Sequence, residues 1–309
     1  MMREDQQDIT AQQIAAVKSY RRIEEIIPSH WFQRSILANG IHHHYYRTGG
    51  EKSPLMLLHG FQESGLCWMR VAKVLEQDYD VIMVDARGHG HSDGIATGFS
   101  EELLTEDVAG VIRALKLDKP RLLGHSMGAS TAGMLASIYP DLVRSILLED
   151  PPRDDIPRME IANSEGYKAW LNSWFAWFEA LKTQSHEERL ISALRQLPPG
   201  SPVWPEDEYV PWVEATAQLD PDLVRLGPSL WSVKSTPMSE LIPRITCPVL
   251  LMRSTSPFPV FAATQATVQE EASPWPHVKI VRFENTGHLI HLEQFDQFIA
   301  VVKAFLKEH

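Results

Sequence analysis

The sequence predicts an α/β fold: a mainly parallel sheet with helices on both faces and a separate helical insertion late in the chain. Three observations predict it. Short apolar runs recur along the chain: SPLMLLHG (53–60), DYDVIMVDARG (78–88), PRLLGHSMG (120–128), VRSILLED (143–150), CPVLLMRS (247–254) and VKIVRF (278–283). Segments long enough for helices separate them, such as LLTEDVAGVIRALKL (103–117). The alternation then stops between about residues 151 and 240, in a stretch rich in Pro and Trp. Continuous apolar strands alternating with helices require a sheet buried on both faces, which is a parallel one.

Taken in order, residues 8 to 27 read as a helix. Ile14, Val17, Ile23, Ile26 and Ile27 form part of an apolar stripe, and Pro28 ends it. Residues 1–34 are accordingly an N-terminal helical arm. WFQRSILANG and IHHHYYRTG follow as two strands joined at Asn39-Gly40, a hairpin signal. The alternating core comprises 35–150 and 241–309. Between these parts, 151–240 holds six of the nine tryptophans: Trp170, Trp174, Trp177, Trp204, Trp212 and Trp231. Trp170, Trp174, Trp177 and Leu181 recur at helical spacing, so the insertion reads as a helical cap over the sheet.

At 309 residues the chain has enough length for a sizeable core. Its formal net charge is −11, with no basic run of more than two residues. That argues against nucleic acid or an anionic membrane as a partner. Cys67 and Cys247 cannot make a framework of bridges and read as reduced thiols. The N-terminus MMREDQQDIT lacks the basic and apolar regions of a signal peptide, and no apolar run reaches the roughly 18 residues of a membrane span. The expected location is the cytoplasm. Oligomeric state is not legible.

GHSMG (124–128) carries the chemistry. It matches G-x-S-x-G between an apolar strand and a helix-like run, the context in which a sharp turn exposes Ser126. Gly128, Ala129, Ala132 and Gly133 let the following helix approach the sheet. HGF (59–61) ends an earlier strand, and acyl transfer needs N–H donors aimed at the developing oxyanion. The amides of Phe61 and Met127 are the candidate donors. In NTGHLIHLEQF (285–295), His288 follows the last strand and can reach a serine on the same sheet edge. His291, three residues on, falls on the helix.

Together HGF, DARGHGHSD (85–93), GHSMG and TGHLIHLE (286–293), in that order, resemble the α/β-hydrolase fold superfamily, its capped serine esterase and lipase-like branch. The resemblance runs from about residue 35 to the C-terminus. It implies an eight-stranded, mainly parallel sheet, a Ser126 nucleophile, a His288 base, and an oxyanion hole at Phe61 and Met127. It implies no metal and no organic cofactor. One feature departs from the family pattern. The acid expected after the penultimate strand is absent: Ser254, Thr255, Ser256 and Pro257 stand there, with proline at the aspartate position. In some branches the acid sits one strand earlier, and here that strand is VRSILLED, ending in Glu149 and Asp150. Side chains alternate along a strand, so the two point to opposite faces. Asp150 matches the relocated acid by position, Glu149 is the alternative, and Glu63 and Glu284 are more distant ones.

Other motifs carry less. HGHSDG (89–94) resembles an H-x-H-x-D-H zinc site, but Gly94 occupies the last ligand position. His42, His43 and His44 read as a solvated strand face, and Arg253 as a surface pair with a local acid, with contact to a carboxylate of the substrate as the alternative. Trp174, Trp177 and Phe178 can form the apolar face of a cap helix and line a substrate pocket as well. The expected function is hydrolysis of carboxylic esters, with a lactone or half-ester equally suited, on a small apolar or aromatic substrate. Carbon–carbon bond hydrolysis, perhydrolysis and non-catalytic binding of a small molecule are the alternatives on the same fold.

Overall fold

The computed structural model describes residues 9–152, 165–197, 202–226, 236–255 and 275–309. Its centre is one eight-stranded sheet: β1 (Phe32–Ala38), β2 (Ile41–Arg47), β3 (Pro54–Leu58), β4 (Asp80–Val84), β5 (Arg121–His125), β6 (Ile146–Glu149), β7 (Val249–Ser254) and β8 (Val278–Phe283). The spatial order is β1-β2-β4-β3-β5-β6-β7-β8. β1 and β2 form the antiparallel hairpin read from Asn39-Gly40, and β2 meets β4 antiparallel; all pairs from β4 to β8 are parallel. Every residue of β4, β5, β6 and β7 is buried, which is why those runs read as continuously apolar rather than alternating.

Two short helices open the chain, α1 (Ala11–Lys18) and α2 (Ile23–Ile26). α3 (Met69–Leu75), α4 (Glu101–Ala114) and α5 (Met127–Ile138) lie among the strands. The stretch between β6 and β7 contributes α6 (Glu165–Thr183), α7 (His186–Leu194), α8 (Glu206–Gln218), α9 (Pro221–Arg225) and α10 (Met238–Leu241). α11 (Ile290–Glu293) and α12 (Phe295–Glu308) close the chain. Two apolar clusters cover the two faces of the sheet: Leu55, Leu57, Leu123 and Leu147 face one, and Met56, Leu58, Leu122 and Ile146 face the other. Period-two alternation along each strand divides its side chains between them.

The arm departs from the single helix over 8–27. The helix stops at Ser19, and Arg22 is extended (φ −69°, ψ 157°) before α2 starts. The break lets Tyr20 and Arg21 reach the inserted helices. The Tyr20 hydroxyl donates to the Trp204 carbonyl at 2.6 Å, and Arg21 pairs with Glu206. The histidine run is also corrected. Only His42 is exposed; His43 and His44 are buried, and His44 Nδ1 lies 2.9 Å from Asp85. Arg253 is not a surface residue either: it is buried and donates to the Pro151 carbonyl. Among the described residues no helix is long and apolar enough to cross a membrane. Trp231, Pro257 and the side chain of Trp170 lie outside the described residues.

Candidate active site

β5 ends at His125 and α5 begins at Met127, so Ser126 alone makes the turn between strand and helix. Its backbone is strained, with φ 50° and ψ −110°. A non-glycine residue holds such a conformation only where its surroundings over-determine it, and such strain clusters at functional sites. Here the surroundings do so. Ser126 N donates to the Glu149 carbonyl, and the Ser126 carbonyl accepts from Ser130 N in the first turn of α5. At Gly128 a Cβ would stand 2.2 Å from the Leu58 carbonyl oxygen, so α5 presses directly onto the end of β3. Met127 is the first residue of α5, and first-turn amides have no partner within their own helix. Phe61 follows the Gly60 turn at the end of β3.

The two carboxylates at the end of β6 take different histidines, and not by strand alternation: β6 ends at Glu149, and Asp150 lies one residue beyond it. Asp150 turns toward the loop after β8: its Oδ2 lies 2.7 Å from His288 Nδ1. Glu149 takes the other histidine, with Oε1 2.8 Å from both the His291 amide and His291 Nδ1. Asp150 has a positive φ of 41°, a conformation that Asp tolerates better than most residues. Its carboxylate is held by the very strand end that lacks an acid. Ser254 Oγ donates to Oδ2 at 2.9 Å and Ser254 N to Oδ1 at 3.2 Å. Burial by itself raises the Asp150 carboxyl; the bond to His288, the charges of His288 and Arg253, and the Ser254 hydroxyl outweigh it and hold the group below its ordinary value. It is therefore ionised at neutral pH and favours a hydrogen on His288 Nδ1, leaving Nε2 as the basic nitrogen. The His288 ring stands 4.7 Å, centroid to centroid, from the ring of His125, the residue before Ser126.

The remaining sequence candidates divide. Trp174 and Phe178 belong to an apolar cluster with Phe61, Phe99, Ile95 and Leu223, which joins the inserted helices to the sheet-edge loops. Trp177 turns into the helical layer instead: its indole N–H donates to Ser192 and its ring lies 6.4 Å from that of Trp212. Glu284 accepts from the Thr255 hydroxyl, and Glu63 lies against His125. The HGHSD residues hold their loop together and tie it to β2: His89 Nδ1 donates to the Arg87 carbonyl, and Asp93 accepts from the His42 amide. Two groups escaped sequence reading. Ser254 was passed over because it stood where an acid was sought. His125 sits at the variable position of G-x-S-x-G, and its only signal in the sequence is a histidine closing the RLLGH strand.

The comparisons agree with this architecture. The family model described as alpha/beta hydrolase fold matches residues 53–295. The chain belongs to that family. N-formylmaleamate deformylase of Pseudomonas putida is 25% identical over 285 residues, 88% of this chain and 95% of that protein. Pimeloyl-[acyl-carrier protein] methyl ester esterase of Aliivibrio fischeri is 28% identical over 270 residues, 86% of this chain and 98% of that one. The crystal structure of the N-formylmaleamic acid deformylase from Pseudomonas putida S16 superposes with a TM-score of 0.70 at 22% identity, covering 88% of this chain and all of that one. This hydrolase-family chain thus has relatives that differ in the bond they cleave.

Proposed function

We propose that this hydrolase cleaves carboxylic ester bonds, lactones or half-esters included, of a small apolar or aromatic substrate through Ser126, His288 and Asp150. The observation that carries the reading is the 2.7 Å contact between Asp150 and His288 Nδ1, with the His288 ring 4.7 Å from that of His125, the residue before a serine in a strained strand-to-helix turn. In this reading Ser126 Oγ attacks the ester carbonyl carbon while His288 Nε2 takes its proton. The oxyanion accepts hydrogen bonds from the Phe61 and Met127 amides. Collapse breaks the bond to the alkoxy oxygen, which leaves as the alcohol with the proton from His288. Water, deprotonated by His288, then attacks the acyl carbon and releases the acid and free Ser126. Residues 151–240 act as the cap, and the cluster of Trp174 and Phe178 with Phe61 supplies an apolar wall for the substrate.

The deformylase relative favours a second leaving group, the nitrogen of an N-formyl amide, expelled by the same residues. Hydrolysis of p-nitrophenyl butyrate tests the ester reading. Wild type should turn it over, and Ser126→Ala should fall to the level of a blank, because loss of a triad serine costs about 10⁶-fold in kcat. Turnover that survives in Ser126→Ala would exclude Ser126 as nucleophile. Formate release from an N-formyl amide, measured in parallel, separates the two leaving groups.

A further inference from the structure

Two buried histidine–carboxylate pairs lie against the site without taking part in the steps above. His291 with Glu149 anchors the start of α11. Glu63 with His125 does something different. His125 is 2% exposed and Glu63 5%. His125 Nδ1 lies 3.0 Å from Glu63 Oε1, and its Nε2 lies 3.1 Å from the His288 carbonyl oxygen. Burial opposes charge on Glu63, but His125 and the Gly60 amide outweigh it and hold the carboxyl below its ordinary value. An ionised Glu63, like a carbonyl oxygen, only accepts, so both ring nitrogens carry hydrogen and the ring is an imidazolium. Glu63 Oε2 also accepts the Gly60 amide at 2.5 Å. A Cβ on Gly60 would stand 2.6 Å from His125 Nδ1 and 3.0 Å from Glu63 Oε2, so the HGF loop runs hard against the pair.

One ion pair therefore touches three separate parts of the site: the loop that carries Phe61, the residue before Ser126, and the main chain of His288. Asp150 holds the His288 ring; His125 holds its backbone. A buried ion pair adds little net stability over apolar packing, so stability alone does not explain this one. The charges facing His125 are Glu63 from the HGF loop and Glu149 and Asp150 from the end of β6. From the C-terminal segment the His288 ring meets it tilted and the His291 ring edge-on. Burial opposes charge on the ring, and the three carboxylates outweigh burial.

We propose that Glu63 and His125 are positioning residues, whose ion pair fixes the His288 backbone and the HGF loop in one frame around Ser126. The proposal rests on the serine-hydrolase reading for its catalytic consequence only. The test compares wild type with Glu63→Gln, which keeps shape and removes charge, and Glu63→Asp, which keeps charge and leaves a gap. The readouts are the rate at which a fluorophosphonate labels Ser126, KM and kcat for p-nitrophenyl butyrate, and amide hydrogen exchange over residues 286–291. Glu63→Gln should label about 10²-fold more slowly, the scale of a small misplacement of reacting groups. Its kcat should fall likewise with KM within about twofold, the pattern of an interaction expressed in the transition state. Exchange over 286–291 should rise, and Glu63→Asp should stay nearer wild type in all three. Wild-type rates and exchange in Glu63→Gln, or greater damage in Glu63→Asp than in Glu63→Gln, would overturn the proposal in favour of packing alone. A wild type that fails to label would count against the serine-hydrolase reading, and the exchange comparison would then decide on the pair. Should Glu63→Gln not fold, nitrogen-15 shifts of the wild-type imidazoles decide: His125 doubly protonated at neutral pH is expected, and a neutral His125 ring overturns the proposal.

Discussion

Ser126, Asp150 and His125 each occupy a state that a free residue avoids. Ser126 and Asp150 have positive φ, and His125 is buried among carboxylates that favour its charged form. Each state is held by neighbours, and the hold has a pH signature. Burial disfavours the His125 imidazolium, but Glu63, Glu149 and Asp150 outweigh it and raise the group from 6.5 to about 9. Burial likewise disfavours the Glu63 carboxylate, and His125 beside it lowers the group from 4.5 to about 2. A raised histidine binds its proton more tightly in the folded chain, so its contribution is complete below pH 6.5 and is lost as pH rises through about 9. The lowered carboxylate contributes above pH 4.5 and loses that contribution as pH falls toward about 2. Thermal melts should therefore show wild type losing stability from pH 6.5 to 9 more steeply than Glu63→Gln. Parallel curves over that window would show that His125 does not titrate there. At this scale motifs single out Ser126 and His288 for their proposed roles, whereas the separation of Glu149 from Asp150 follows from the positive φ of Asp150 just past β6 rather than from alternation. The sequence did not announce His125 or Ser254, because their roles depend on neighbours 62 and 104 residues away in the chain.

Elements were legible where a local rule governs them. The hairpin at Asn39-Gly40, the buried parallel strands and the helix behind the serine all follow from turn chemistry and apolar periodicity. The arm was less legible. Its apolar residues fit one helix, yet the chain breaks at 19–22 so that Tyr20 and Arg21 can bond residues of the insertion. Tertiary partners overrode local preference, as they commonly do. The arm straps α8 and its approach to the core. Tyr20→Phe removes the hydroxyl that donates to the Trp204 carbonyl and should lower stability by about 1 kcal/mol in denaturant unfolding, with ester turnover unchanged. A loss of turnover larger than the loss of folded protein would instead tie the arm to the site.

Across the whole molecule, the sheet order is consistent with the proposed triad, whose acid does not lie after β7. β5, β6 and β7 are consecutive neighbours, so the end of β6 lies between the Ser126 turn and the strand end where the acid was sought. Moving the acid by one strand keeps it within reach of the loop after β8, and Ser254 at the vacated position donates two hydrogen bonds to it. The fold was largely readable because burial on both faces writes itself into apolar runs. The partition of the inserted helices was not, since Trp174 and Trp177 share one helix yet enter different clusters. Hydrolysis of p-nitrophenyl butyrate by wild type, Asp150→Asn and Glu149→Gln, with folding checked by circular dichroism, decides whether Asp150 orients His288. The account predicts a kcat loss of about 10⁴-fold for Asp150→Asn, because the histidine loses the partner that fixes its tautomer, and a far smaller loss for Glu149→Gln. Equal turnover by wild type and Asp150→Asn would contradict it.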